Sequence, residues 1–475
     1  MRRRDVLIAA PALLSGCATL GRSGGTLGER DVRVVADALA LHPGLHRYLS
    51  PAQVSEGLAR LDSEWRGATL EARFLSLSRF LSTLRCGHTF CNPTNQSKQV
   101  RAALFDRHRA LPFTFVWMNG VPVVTGDQGA GLPRGTRVLR IDGVDSKIVL
   151  ERLLPFTRAD GRGEAKRLAQ LAVSGNERFE AFDLFHALLF PGAAGEDIEL
   201  EVARPDGTTT TKVNVNPLTL EQRRAFMQKA DDAPRWEWTV DDSGIALLRM
   251  PTWALYDTKW DWQKWLSERL DSLASARGFI IDLRENEGGL DCGNPILSRL
   301  SDRELRLSSY ARRVRFRTTP PSLDPFLDTW DDTFRKLGVD AKDLGDGFFE
   351  LPREEGVDVL PAVKPKISVK TAVLIGANCS SATFQFAARC QEASLAKLIG
   401  QPTGGNRRGI NGGSFFFVRL PESGLEFDLP LVGTFPATPQ PDSGVEPDVL
   451  VTPTVADIAS GRDLVLEAAR SEVLR

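Results

Sequence analysis

The sequence predicts a multidomain α+β chain that closes on an α/β core, and three observations carry that prediction. The 475 residues, 42% of them hydrophobic, suffice for about three domains, one of them with a sizeable core. Helical periodicity fills the stretch from Asp31 to Leu84 and gives way to alternating apolar segments from Pro112. From Gly244 onward strand, helix and strand patterns repeat, and the apolar runs Phe279–Ile281 and Ala372–Ala377 read as buried strands of a partly parallel sheet. Sixty Lys plus Arg against 61 Asp plus Glu leave a formal charge of −1 and a pI near 6.6. No global basic field exists, so nucleic acid is not expected as a partner.

The chain begins with Met1-Arg2-Arg3-Arg4, a short apolar run from Val6 to Leu14, and the small-residue site Ser15-Gly16-Cys17. That run is too short for a permanent span, which needs roughly 20 residues, so residues 1–17 read as an export signal. Leu14-Ser15-Gly16-Cys17 resembles a bacterial lipobox, and Arg3-Arg4-Asp5-Val6-Leu7 resembles a twin-arginine signal. An ordinary cleaved signal is the alternative. The order of charged region, apolar region and lipobox favours lipidation of Cys17, which would tether the chain to the periplasmic side of a bacterial membrane. Each buried acyl methylene would contribute roughly 0.8 kcal/mol. The polar, glycine-containing residues 18–30 read as the tether. With Cys17 acylated, Cys86, Cys91, Cys292, Cys379 and Cys390 remain, an odd number, and Cys86 with Cys91 could close a small loop. No C-x-x-C pair occurs and the histidines are scattered, so no metal site is expected.

Residues 31–111 read as an N-terminal helical domain, with Ser50-Pro51 opening one helix and Thr69-Leu70-Glu71 another. It ends at Leu84-Arg85-Cys86-Gly87-His88-Thr89-Phe90-Cys91. A glycine turn after an apolar helix singles out His88 among the five histidines, the others being His42, His46, His108 and His186. Residues 112–217 have the cadence of a PDZ-like β module, with alternating strands leading to Asp142-Gly143, a helical insertion from Ser146 to Phe190, and a final hairpin turned at Pro205-Asp206-Gly207. Some modules of this kind capture peptide termini by adding a strand.

Residues 235–475 form the last and largest unit. The strand from Phe279 runs into Glu285-Asn286-Glu287-Gly288-Gly289, and the strand from Ala372 runs into Asn378-Cys379-Ser380-Ser381 before a helix. In α/β sheets ligand sites gather at such carboxyl ends. Taken alone, the second stretch is simply a strand followed by a serine-capped helix, and the double glycine is a tight turn. Side by side they can do more. A hydroxyl at a helix N-terminus meets unpaired N–H groups and the helix dipole, and glycine N–H groups can approach a reacting carbonyl closely.

Five stretches in order resemble the tail-specific protease family, also called C-terminal processing peptidases. Phe279 to Gly289 resembles its I-D-L-R-x-N-x-G-G, Ala372 to Ala387 its nucleophile strand and turn, and Gly400-Gln401-Pro402-Thr403 its G-x-P-T. Gly444-Val445-Glu446-Pro447-Asp448 resembles the closing G-x-x-P-D, and Cys86-Gly87-His88-Thr89 the D-G-H-T of the lipoprotein-like and tricorn-like branches. The resemblance implies a ClpP/crotonase-like α/β protease core, a serine-type endopeptidase activity on peptides or proteins, and no cofactor. It implies Ser381 as nucleophile, with Ser380 as the fallback, and an oxyanion hole from the N–H groups of Ala382 and of Gly288 or Gly289.

One departure matters. Where Ser-Lys members of the family carry a lysine, this sequence has Asn406, followed by Arg407 and Arg408. Arginine stays protonated and cannot act as a base. The resemblance to the tricorn-like branch instead implies His88 as base, with a late acidic residue, Asp442 or Glu446, to orient it; Cys86 replaces the family aspartate. A catalytically silent peptide- or ligand-binding protein on the same fold is the alternative, and an esterase would lack its G-x-S-x-G elbow here.

Overall fold

The computed structural model describes residues 28–475, apart from residues 108, 193–195, 208, 228–234, 257, 307–309 and 354–358. Cys17, its leader and His108 therefore lie outside the described residues. Helices α1 (Glu29–Leu39), α2 (Pro51–Trp65), α3 (Leu70–Thr83) and α4 (Lys98–Phe105) form the first unit. Ser50 and Gln53 make a reciprocal capping box at α2, and the Thr69 hydroxyl accepts the Ala72 N–H at α3, so the two expected starts are where the backbone needs them. No helix among the described residues is long and apolar enough to cross a membrane.

The PDZ-like module contains β1 (Phe113–Met118), β2 (Val121–Asp127), β3 (Arg137–Ile141), β4 (Val144–Asp145), β5 (Ile198–Ala203) and β6 (Thr210–Val215). They pair antiparallel in the order β1-β2-β3-β5-β6, with β4 on β3. The insertion carries α5 (Ser146–Leu153), α6 (Glu164–Gln170) and α7 (Ala181–Leu189), and α8 (Leu220–Ala225) follows the last strand. Arg223 of α8 is buried against Asp183 of α7 at 2.9 Å and also donates to the carbonyl of Leu111. A buried guanidinium is tolerable only when its donors are met, and this one pins α8 to the module.

The core begins with β7 (Glu237–Val240), β8 (Ile245–Arg249), α9 (Trp262–Ser272), β9 (Gly278–Asp282) and α10 (Asn294–Leu300). Short pieces follow: β10 (Leu305–Arg306), β11 (Tyr310–Val314), β12 (Leu327–Asp328), β13 (Lys342–Asp343), β14 (Phe349–Glu350) and β15 (Val359–Leu360). The chain then runs through β16 (Thr371–Ile375), α11 (Ser381–Glu392), β17 (Lys397–Gly400), β18 (Asn411–Arg419), β19 (Glu426–Pro436), β20 (Val449–Leu450), α12 (Val455–Ser460) and α13 (Leu464–Leu474). One sheet has the order β20-β17-β16-β9-β8-β7, parallel except for the β7–β8 edge. Strands β9 and β16 are buried along their whole length because both faces are covered. Leu266, Ile296 and Phe386 pack on one side and Val465, Ala469 and Val473 of α13 on the other. The tryptophans of the α9 region, Trp260, Trp262 and Trp265, pack edge-on around Trp236 as core.

A second sheet, β12-β18-β19-β11-β14-β13, explains a difference from the sequence reading. Phe416, Val418, Phe427, Leu429 and Leu431 from β18 and β19 share one core with Val35, Leu61, Trp65, Phe74 and Leu77 of the N-terminal helices. The helical unit thus closes on a sheet more than 300 residues away rather than on itself. This packing carries the loop after α3, and with it His88, to the core.

Candidate active site

The turn after β16 is tied down from three directions. The Cys379 thiol donates to the Leu283 carbonyl at 3.0 Å, its N–H donates to Gly376 at 2.9 Å, and its carbonyl accepts the N–H groups of Gly404 and Gly405 at 2.8 and 3.3 Å. The chain then enters α11 with Ser381 at φ 53°, in the left-handed region that non-glycine residues seldom occupy. Such strain persists only where the surroundings impose it. The two serines differ in what their hydroxyls do. Ser380 Oγ donates to the Glu287 carbonyl at 3.1 Å, whereas Ser381 Oγ has no hydrogen-bond partner among the described residues. The free hydroxyl is that of Ser381.

Opposite this turn, Gly288 and Gly289 have φ of 101° and 136°. A Cβ on Gly288 would lie 2.8 Å from Ser381 Cβ, and one on Gly289 would lie 2.3 Å from the Trp253 carbonyl carbon, so both positions exclude a side chain. Their N–H groups are not equivalent. Gly288 donates to Asn286 Oδ1 at 2.8 Å, while the N–H groups of Gly289 and of Ala382 have no partner among the described residues. The open donors beside Ser381 are therefore Gly289 and Ala382.

Asn286, fully buried, holds the two turns together. Its Oδ1 accepts both the Gly288 N–H and the Thr383 hydroxyl of α11, each at 2.8 Å, and its Nδ2 donates to the Met250 carbonyl at 2.7 Å. Asn286→Ala is expected to strand three buried polar groups at roughly 1–3 kcal/mol each. Calorimetry would then show a lower Tm; an unchanged Tm would show that the two turns hold their positions without this clamp.

His88 reaches the same region. Thr89 beside it is buried against His42, Oγ1 to Nε2 at 2.9 Å, and a Cβ on Gly412 of β18 would lie 3.8 Å from His88 Nε2. The His88 ring tilts on Phe415 at 5.8 Å, and its Nδ1 is buried without a partner. Burial lowers the His88 pKa, with Arg158 and Lys166 acting the same way and Asp160 and Glu287 opposing them. The imidazole is thus neutral and able to accept a proton near pH 7.

A band of charge joins the PDZ-like module to both turns. Lys166 of α6, 4% exposed, pairs with Glu287 and reaches the Asn378 carbonyl at 3.4 Å. Arg158 lies 3.7 Å from Glu287, donates to the Gly87 carbonyl at 2.7 Å and stacks 3.6 Å over the Phe90 ring. Although desolvation acts to raise it, these two cations hold the Glu287 carboxyl down at about 2. Asp160, 2% exposed, accepts the Gly87 N–H on Oδ1 at 2.9 Å, and its Oδ2 is buried without a partner.

Residues 244–451, which contain both turns, match the sequence profile of Peptidase family S41. Over these residues the chain is similar to peptidase family S41. Among solved structures, mature CPAF complexed with lactacystin aligns over 94% of this chain and 97% of its own at 16% identity and a TM-score of 0.62. Mature CPAF alone aligns over 94% and 95% at 16% identity and a TM-score of 0.61. The photosystem II D1 C-terminal processing protease aligns over 94% and 98% at 14% identity and a TM-score of 0.43. For the two CPAF structures, at 16% identity, the likeness is one of fold. No match is found among curated proteins.

Within this core the remaining motifs are architectural. Thr403 of G-x-P-T exchanges bonds with Val445 of G-x-x-P-D, its N–H donating at 3.0 Å and its Oγ1 accepting at 2.8 Å. Asp448 accepts the Leu398 N–H at 2.7 Å. Asn406, where the sequence resemblance places a lysine, is 1% exposed, and its Nδ2 donates to Asp442 at 2.7 Å and to the Asp160 carbonyl at 3.3 Å. Asp442 also accepts from Tyr48 and from the Arg162 N–H, both at 3.2 Å. Glu446 is exposed, and its carbonyl takes Gln391. Neither acid is among the groups that bear most strongly on His88; Asp160 and Glu287 are. Cys86, Cys91, Cys292, Cys379 and Cys390 are all buried and free, so no loop closes between Cys86 and Cys91. Asp160, Lys166 and Arg158 escaped the sequence reading because they sit in the helical insertion, where nothing marks a residue that tertiary docking will bring to a distant site.

Proposed function

We propose that the chain is an exported, lipid-anchored serine endopeptidase in which Ser381 is the nucleophile and His88 the general base. One observation carries the reading. The only free hydroxyl of the described Ser380–Ser381 turn sits at the N-terminus of α11 between two unpartnered N–H groups. Ser381 Oγ attacks the peptide carbonyl as its proton passes to His88 Nε2, and the N–H groups of Gly289 and Ala382 receive the oxyanion. His88 then gives the proton to the departing amine, leaving an acyl-enzyme on Ser381 that water hydrolyses by the reverse sequence.

Other bases fit less well. Asn406 cannot accept a serine proton, and the Lys166 ammonium is committed to Glu287. The fold of CPAF and the S41 core support a peptide or protein substrate, which the PDZ-like module would help to hold. Incubation with unstructured protein substrates tests the reading, using Ser380→Ala as a control that should retain activity within about tenfold, since its hydroxyl makes one ordinary hydrogen bond. A wild type that binds peptides without cleaving them would make the chain a binding protein instead.

Lipid anchoring rests on the order of Arg2-Arg3-Arg4, the apolar run and Leu14-Ser15-Gly16-Cys17. Cys17→Ser is expected to abolish incorporation of labelled fatty acid and to move the protein out of the membrane fraction. Continued acylation of that variant would rule out Cys17 as the anchor.

A further inference from the structure

We propose that Asp160, supplied by the PDZ-like module, is the residue that orients His88 for proton transfer; this rests on the reading of His88 as the base. Two buried polar atoms have no hydrogen-bond partner, the carboxylate Oδ2 of Asp160 and the ring Nδ1 of His88, and Asp160 is bonded to Gly87, the residue before the histidine. Buried carboxylate oxygens and imidazole nitrogens are rarely left unpaired. Each supplies what the other lacks, since Nδ1 can donate a proton and Oδ2 can only accept one when ionised.

Asp160 is fixed for this task. Its Oδ1 takes the N–H of Gly87, the residue before His88, at 2.9 Å. A Cβ on Gly87 would lie 3.0 Å from Asp160 Oδ2, so the glycine lets the carboxylate lie against the chain there. The Asp160 carbonyl takes Asn406 Nδ2 at 3.3 Å, and the following Gly161 N–H donates to the Arg85 carbonyl at 3.0 Å. The competing acids are otherwise engaged. Glu287 is paired with Lys166 and Arg158 and is 43% exposed, Asp442 holds Asn406 and Tyr48, and Glu446 faces solvent.

In the proposed active arrangement the Asp160 carboxylate, directly or through one water, accepts the Nδ1 proton, leaving Nε2 unprotonated to take the proton of Ser381 and later return it to the amine. Asp160 itself neither gains nor loses a proton in the step. It replaces, from another domain, the carboxylate that Cys86 displaces from the C-G-H-T stretch, so the base is oriented only while the module is docked.

Nitrogen-15 NMR of the histidine-labelled full chain, with the His88 signal assigned through His88→Gln, should find neutral His88 protonated on Nδ1. Asp160→Asn keeps an oxygen for Gly87 but presents an NH2 to the ring, so the His88 proton should move to Nε2. For that variant kcat should fall about 1,000- to 10,000-fold while KM changes by less than about threefold. Nε2 protonation in the wild type, or a kcat for Asp160→Asn within about threefold of wild type, would overturn the proposal. Should Asp160→Asn not fold, the wild-type protonation site decides alone. A wild type protonated on Nδ1 but unable to cleave peptides would keep the Asp160–His88 pair and overturn the peptidase reading.

Discussion

Ser381→Ala is expected to lose about a millionfold in kcat, the scale on which removing an acyl-enzyme nucleophile acts when the rest of the machinery depends on it. The fold should survive the change. The Ser381 hydroxyl makes no hydrogen bond among the described residues, and alanine meets the same left-handed backbone, φ 53°, that serine does, so stability should change by no more than about 0.5 kcal/mol. Ser381→Gly separates function from strain more sharply. It should be equally inactive and more stable by about 0.5–1 kcal/mol, because glycine adopts this backbone without steric cost. A gain in Tm together with lost turnover would mark Ser381 as a strained functional residue. A fall in Tm would show that the serine is there as a helix cap.

His88→Ala should be as damaging as loss of the serine, again about a millionfold in kcat, since nucleophile and base act as one unit. The pH profile of the wild type carries the more specific statement. Burial first, then Arg158 and Lys166, press the His88 pKa below its ordinary 6.5, while Asp160 and Glu287 pull it upward without prevailing. The free base therefore persists as pH falls through 6.5, and kcat/KM should hold there and decline only as pH drops through the lowered value. A lysine base would behave oppositely, losing activity already on descent from the alkaline side. Rates measured from pH 9 to 4 distinguish the two, and activity already lost as pH descends from 9 to 7 would remove His88 from the mechanism.

Local signals in the chain foretold much of this arrangement. Continuous apolar runs at Phe279 and Ala372 specify strands buried on both faces, and Ser50 and Thr69 mark helix starts through a hydroxyl that the backbone needs. The glycines after β9 and the serines after β16 announce a site because side-chain-free N–H groups and a helix start fall at adjacent strand ends. What local pattern could not give was partnership. Which serine is free depends on the Glu287 carbonyl taking Ser380, and which glycine N–H is open depends on Asn286 taking Gly288. Asp442 and Glu446 were readable as acids near a motif, yet the tertiary structure places Asp160 against the histidine loop instead. The same holds for the N-terminal helices, whose apolar faces are plain in sequence while their partners, β18 and β19, are not.

The central claim is that Ser381 is an activated nucleophile on a core similar to peptidase family S41, with Asn406 where the resemblance places a lysine. Treating the wild-type chain with a fluorophosphonate and locating the adduct by peptide mass spectrometry tests it most directly. The account predicts a single adduct on Ser381, absent from His88→Ala. An adduct on Ser380, or none in a folded wild type that still binds peptides, would contradict it.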